Sequence, residues 1–311
     1  MKETATLEMK QMKILLLVPS QTGDKTPNVR LIKDQLRHLV KEVLVIKYPH
    51  NLEDYLGRFQ PDLILALGSE TTFPEENIPA LKASTVPKAV WMTDSTSLTR
   101  TERDLALLFD YIFTQNKVNL IYYRGLWGKH SSYLPYAADT DLYYPRRVDK
   151  YYHSDVLILG HFRVDNVLPT LAHSDLFRGL KVMACVSGWE PAKEIMNITH
   201  SKNMSNYYNG ARIVIHCTGS VQQIMEVAAC GVFQLVEDHP NLHHHHFPLA
   251  QDDLVRFHSF SELVDHFKYY STHSEKRRIS ASRTLQEIKY HHSYTQQCIH
   301  LLKRIFSEPR G

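Results

Sequence analysis

The stretch Ser205–Val236 reads S-N-Y-Y-N-G-A-R-I-V-I-H-C-T-G-S-V-Q-Q-I-M-E-V-A-A-C-G-V-F-Q-L-V. Within it, residues 212–217 form a short apolar run with β-branched side chains, bounded by Gly210 and Gly219, which predicts a buried strand. Ser220 is placed to cap a helix over 221–230, and Gly231 to stop it. Residues 232–236 predict a second strand. A strand–helix–strand unit of this length joins a parallel pair, so the chain is of the α/β class. The Gly219–Ser220 turn aims backbone N–H groups and the positive end of a helix at one spot, which suits a phosphate. Glu226 stands in an otherwise apolar, small-residue helix, where a carboxylate needs a partner. A backbone group or a nearby Lys or Arg would serve structurally; the vicinal hydroxyls of a ribose would serve functionally.

The same alternation extends in both directions. Before residue 150, strands are expected over 13–20, 43–47, 62–68, 88–92, 111–114 and 132–136, with helices over 29–41, 51–59, 98–109 and 117–126. Residues 139–153, rich in Tyr, Asp and Arg, break the pattern and read as a crossing between domains. Strands resume over 155–160 and 180–186. A capping box at Ser259–Glu262 opens the closing helices, of which 274–290 and 294–306 are the last two. Strands alternating with helices give parallel, Rossmann-like sheets whose ligands sit beyond the carboxyl ends of the strands.

Composition narrows the function. The 311 residues, 43% hydrophobic and 22% charged, fit a globular chain of two domains. The formal net charge is +3, spread evenly over the two halves, so nothing calls for a nucleic acid partner. The four cysteines, Cys185, Cys217, Cys230 and Cys298, form no C-x-x-C pair, and a reducing cytosol is expected. The first eleven residues are polar and lack the apolar core of a signal peptide; they are expected to be disordered. No apolar run is long enough to span a bilayer. Neither G-x-G-x-x-G nor G-x-x-x-x-G-K-[ST] occurs, which leaves dinucleotide cofactors and P-loop chemistry without support.

In residues 205–236, an aromatic pair, an apolar strand, Ser220, Glu226 and Ala229-Cys230-Gly231 follow one another. Further on come Ser261-Glu262-Leu263, Tyr269-Tyr270, Arg277-Arg278 and His292-Ser293-Tyr294. Over about 155–306 this order resembles the donor-binding half of CgeB-type (spore maturation) glycosyltransferases. Trp91-Met92-Thr93-Asp94 and residues 134–139 resemble the family's earlier landmarks. The chain departs from the pattern near the helix start, where the family carries Arg and this sequence has Gln222 and Gln223. The resemblance implies the GT-B architecture: two Rossmann-like domains with parallel sheets facing a cleft, and C-terminal helices crossing back. An acceptor-side domain is then expected over 12–150, a nucleotide-sugar domain over 151–290, and a returning helix over 291–311. It further implies a nucleotide-sugar donor, a hydroxyl acceptor, and no cofactor and no metal; the expected cytoplasmic location comes from the cysteines and the lack of a signal or membrane-spanning run.

Candidate residues follow from strand ends. Gly160, Arg163, Gly188, Gly219, Ser220 and Glu226 combine close backbone approach, a cation, a helix N-terminus and a carboxylate, the parts of a nucleoside-diphosphate site. Trp189 and Tyr207 join them as aromatic neighbours of the base, although Tyr207-Tyr208 suits core packing equally. Gln223 marks the missing Arg, which Arg163 would replace. Asp94 is the candidate general base, with His161 second; Asp94 would also serve as a helix cap. The run His243–His246 reads either as a metal tract or as a solvated loop beside the donor helix. Two other readings remain beside glycosyl transfer: a catalytically silent binding or coat-assembly protein, and a sugar-nucleotide epimerase.

Overall fold

A computed structural model of the chain describes residues 9–19, 27–48, 51–68, 73–92, 99–125, 130–190, 194–201, 203–218, 220–238, 242, 249 and 253–307. Asp94, Gly219 and His243–His246 lie outside these. The chain divides into two compact units, 1–135 with 294–311, and 136–293.

The first unit alternates β1 (Lys13–Val18), α1 (Pro27–Leu39), β2 (Glu42–Lys47), α2 (Leu52–Phe59), β3 (Leu63–Gly68), α3 (Ile78–Ala83), β4 (Lys88–Met92), α4 (Arg100–Ala106), β5 (Tyr111–Thr114), α5 (Lys117–Arg124) and β6 (His130–Tyr133). All strand pairs are parallel, in the order β2-β1-β3-β4-β5-β6. The central strands KILLLV and LILALG are apolar throughout because both faces are covered. Leu15, Leu17, Ile64, Ala66, Val90 and Ile112 pack on one side with Leu52, Leu81, Leu105 and Phe109. Met9 is buried, and its carbonyl accepts the N–H of Met12, so residues 9–11 belong to the packed body rather than to a disordered tail.

The second unit holds β7 (Ser154–His161), α6 (Leu168–Ala172), β8 (Val182–Ser187), β9 (Ile195–Asn197), α7 (Met204–Gly210), β10 (Ala211–Cys217), α8 (Val221–Ala229), β11 (Gln234–Glu237), β12 (Val255–Phe257), α9 (Phe260–Thr272) and α10 (Ser274–His291). Its sheet is also parallel, in the order β12-β11-β10-β7-β8-β9. Numbered from β7, this is 3-2-1-4-5-6, the doubly wound order whose direction reverses between the first and fourth strands, here β7 and β10. One face packs against α6, α9 and α10 through Leu168, Leu263, Phe267 and Ala281; the other carries Leu157, Leu159 and Val214 against Met204 and Tyr208 of α7 and Val227 of α8. Glu262 closes the start of α9 by accepting from His258 N at 2.7 Å, not from the Ser259 N–H that a capping box uses. The last helix, α11 (Tyr294–Phe306), belongs to the first unit. There Thr295 Oγ1 meets Gln35 at 2.6 Å, and the Tyr294 ring lies 6.4 Å from that of Trp91.

Among the described residues, His216 is the histidine buried in the second sheet. It is fully buried on β10, and among the described residues neither ring nitrogen makes a hydrogen bond; the Gln234 amide beside it donates to the Ile224 carbonyl at 3.2 Å. Burial pushes its pKa down to about 3. The folded protein thus refuses a proton that the unfolded chain takes near pH 6.5. The stability from neutral His216 is whole above about pH 6.5 and is lost as pH falls toward 3. Denaturant unfolding near pH 6.5 and pH 4.5 checks this. Relative to wild type, His216→Leu should lose less stability between the two, by about 2 kcal/mol. Parallel losses in the two proteins would contradict it.

Candidate functional site

The carboxyl ends of β7, β8 and β10 adjoin at the reversal of strand order. β7 ends in Gly160-His161 opposite Cys217 of β10 and Ser187 of β8. Gly160 has φ +138°, and a methyl group there would stand 1.7 Å from the Cys217 carbonyl oxygen, so only glycine permits this approach. His161 is exposed, with Nδ1 against the Ser187 hydroxyl. Gly188 turns the chain after β8 with φ +73°.

Thr218 follows β10 in the left-handed region, φ +54°, an uncommon place for a branched side chain. Local bonds hold it there. Its hydroxyl accepts from Asn166 Nδ2 at 2.9 Å and donates to Glu237 Oε2 at 3.4 Å. Glu237 Oε1 also accepts the N–H of Val167 at 3.0 Å. Burial raises the Glu237 pKa, and these bonds work against the shift. The loop after β7 is thereby tied to the tips of β10 and β11. The sequence reading missed Ser187, Asn166, Thr218 and Glu237. No local pattern marks them, since Asn166 and Thr218 are 52 positions apart.

Ser220 caps α8 as expected, its hydroxyl accepting the N–H of Gln223 at 3.1 Å. This leaves the exposed start of a nine-residue helix beside the Gly160 tip. Arg163 is exposed and grips Asp165 through two bonds, Nε–Oδ1 at 2.8 Å and Nη2–Oδ2 at 2.6 Å. The pair raises the Arg163 pKa and lowers that of Asp165. Such an exposed pair holds weakly and exchanges readily for a better anion.

Glu226 takes its partners from three elements, none of them a cation. Gln222 Nε2 donates to Oε1 at 3.3 Å and Tyr208 Oη to Oε2 at 3.4 Å, and Tyr143 favours the ionised carboxylate as well. Burial pushes its pKa up to about 7, although the residue keeps some exposure. Gln222 is thus engaged with Glu226, whereas Gln223 keeps a side-chain oxygen without a partner among the described residues.

Two candidates need correction. Trp189 is 6% exposed and packs among Ile213, Ile215 and Leu168, so its ring is core and offers no stacking face. Tyr207 leans on Tyr152, with ring centroids 4.9 Å apart, and on Tyr151, both just before the start of β7. That puts it at the amino end of the sheet, away from the strand tips.

The architecture defines the class: two Rossmann-like units with parallel sheets, the GT-B glycosyltransferase fold. Residues 163–303 match the family model described as Glycosyl transferase-like. The chain is 24% identical over 255 residues to spore protein CgeB of Bacillus subtilis (strain 168), covering 74% of this chain and 78% of CgeB. An α-glucosyltransferase solved with UDP and a 13-mer DNA has a TM-score of 0.63 at 11% identity, over 96% of this chain and 100% of its own. HepE of Anabaena, solved with UDP and glucose, has a TM-score of 0.61 at 12% identity over the same shares. The chain is similar to CgeB and has a GT-B fold, as its motifs led us to expect. Among the described residues, no helix is long and apolar enough to cross a membrane.

The two strand-tip glycines separate close approach from backbone preference. Gly160→Ala should destabilise the protein by about 2–4 kcal/mol in urea unfolding, through overlap with Cys217 and strain. Gly188→Ala, whose nearest neighbour would be 3.8 Å away, should lose only about 1 kcal/mol. Equal losses would argue against the Gly160–Cys217 constraint.

Proposed function

We propose that the protein is a glycosyltransferase that takes a sugar from a nucleoside-diphosphate sugar and passes it to a hydroxyl acceptor. The observation that carries this reading is Glu226. It is a carboxylate on a helix opened by Ser220 at the reversal point of a 3-2-1-4-5-6 sheet, and its partners among the described residues are neutral donors. A carboxylate with free lone pairs and no cation suits two ribose hydroxyls. Beside it, the Ser220 helix start and Arg163 take the diphosphate; Gly188 lets the donor approach the backbone closely, Gly160 lets β10 come against β7 at that point, and His161 lines the same rim.

In the transfer, the acceptor oxygen bonds to the anomeric carbon while the bond from that carbon to the diphosphate oxygen breaks. The diphosphate leaves with the electron pair, and a base takes the acceptor proton. Asp94, assigned to the acceptor side with the first unit, is the candidate base, and His161 stands second. The negative charge of the leaving group falls on the α8 start and Arg163, so no metal is assigned a role. The Gln residues near the α8 start, where the resembled family has Arg, favour a second reading: a module that binds the nucleotide sugar without turning it over.

Calorimetry with UDP, ADP and GDP tests the donor site. Glu226→Ala should weaken the best of them by about 1.5–3 kcal/mol. In wild type, affinity should rise with pH through about 7, because only the ionised carboxylate accepts both hydroxyls. A folded variant with unchanged affinity removes Glu226 from the site.

Asp94→Asn tests the base. Asparagine keeps the shape but accepts no proton, so turnover of a sugar donor should fall about 10²–10⁴-fold with donor affinity unchanged. Near-normal turnover would transfer the role to His161. Binding without turnover in wild type would favour the silent module.

A further inference from the structure

Glu226 is held by a part of the chain with no share in the nucleotide-binding turn. Tyr143 lies 83 positions before it, in the stretch 139–146 that runs across α7 and α8. We infer that Tyr143 is a positioning residue for the donor site: its hydroxyl, paired with that of Tyr208, holds the Glu226 carboxylate ready to accept the ribose hydroxyls of a nucleoside diphosphate. This rests on Glu226 as the ribose ligand.

The geometry is that of a two-walled clamp. The Tyr143 and Tyr208 rings stack at 5.8 Å with 29° between their planes; the Tyr208 hydroxyl donates to the carboxylate at 3.4 Å, and Tyr143 acts on the same group. Gln222 supplies a third donor from within α8. Three neutral donors take three of a carboxylate's four acceptor sites; the fourth is open to one ribose hydroxyl, and the other takes the place of the Gln222 amide.

Tyr143 is itself fixed. Its N–H donates to the Asp139 carbonyl at 2.8 Å, and Asp139 Oδ1 accepts from the N–H groups of Asp141 and Leu142. On its other side, Arg146 Nη2 donates to Ser205 Oγ at 2.9 Å and to Asn206 Oδ1 at 2.8 Å. The Arg146 N–H reaches Asn209 Oδ1 at 2.9 Å; the Ser205 hydroxyl donates to the Leu142 carbonyl at 2.9 Å and Asn209 Nδ2 to that of Tyr144 at 3.1 Å. A ring mounted this firmly directs its hydroxyl at little further entropic cost.

The charged and titratable groups around Glu226 are few. Asp139, from the same stretch as Tyr143, disfavours the ionised carboxylate, whereas the Tyr143, Tyr208 and Gln222 donors favour it. Cys230, at the end of α8, is held protonated by burial, and Arg146 acts on that thiol. No ion pair to Glu226 forms among the described residues. Removing one hydroxyl should therefore raise the proton affinity of Glu226.

The experiment has two readouts on wild type, Tyr143→Phe and Glu226→Gln. The first is the titration of the Glu226 side chain by carbon-13 NMR in the nucleotide-free protein, with Glu226→Gln assigning the signal. Loss of one hydrogen bond should move the midpoint up by about one pH unit. The second is calorimetry with UDP, ADP and GDP. For the best of them, Tyr143→Phe should bind about fivefold more weakly near pH 7 and within about twofold of wild type near pH 9. A merely structural role would weaken binding equally at both pH values. An unmoved midpoint overturns the inference even where nucleotide binds normally. A moved midpoint together with full binding by Glu226→Gln overturns the ribose reading and the inference with it. Tyr208→Phe, from the opposite wall, should shift the midpoint in the same direction. If Tyr143→Phe fails to fold, Tyr208→Phe decides the matter alone, and an unmoved midpoint there overturns the clamp.

Discussion

The second unit depends on the contact between Gly160 and the carbonyl of Cys217, where β7 and β10 run side by side. These strands neighbour each other in the sheet although α6, β8, β9 and α7 lie between them in the chain. The sheet grows outward from them in opposite directions, and the connections leave toward opposite faces, so a crevice opens above their carboxyl ends. A larger residue at 160 would push the strands apart where Thr218 turns into its left-handed conformation. The Asn166–Thr218–Glu237 bonds and the start of α8 are all hung from that junction.

Charge is distributed sparingly around this junction. The one exposed cation on the loop after β7, Arg163, is held by its neighbour Asp165, two residues along. The carboxylate of Glu226 on α8 is met by hydroxyls and an amide instead of by a base. Each arrangement is easily reversed: an anionic ligand competes with Asp165 on equal terms, and a carboxylate near its midpoint changes charge for little free energy. A site assembled from such pairs responds to its ligand without rebuilding its core.

The longer strands, unlike β9 and β12 with three residues each, were legible in the sequence because buried parallel strands are nearly all apolar, as KILLLV and LILALG show. So was α8, whose Ser220 and Gly231 bracket a run of good helix formers. Helix α7 was not. Asn206, Asn209 and Gly210 are poor helix formers, and the helix stands because Arg146 and the carbonyls of Leu142 and Tyr144 bind its side chains from outside. Trp189 looked like a ligand residue because it follows a strand end, but proximity along the chain does not say which way a ring turns. Tyr143 escaped notice for the converse reason: nothing near it in sequence shows that it stacks on Tyr208, the partner of Glu226. The backbone of the site was readable, but the side chains that tune it come from distant positions.

The first unit is made from both ends of the chain, with α11 returning after the whole second unit has intervened. Leu301, Leu302 and Ile305 of that helix are buried, as are Ile32 and Leu36 of α1. During synthesis, the second unit is therefore complete before the first has its last wall. Until α11 emerges, the apolar surface it will cover has no native partner, which is a state prone to association. The unit made first is the last to be finished.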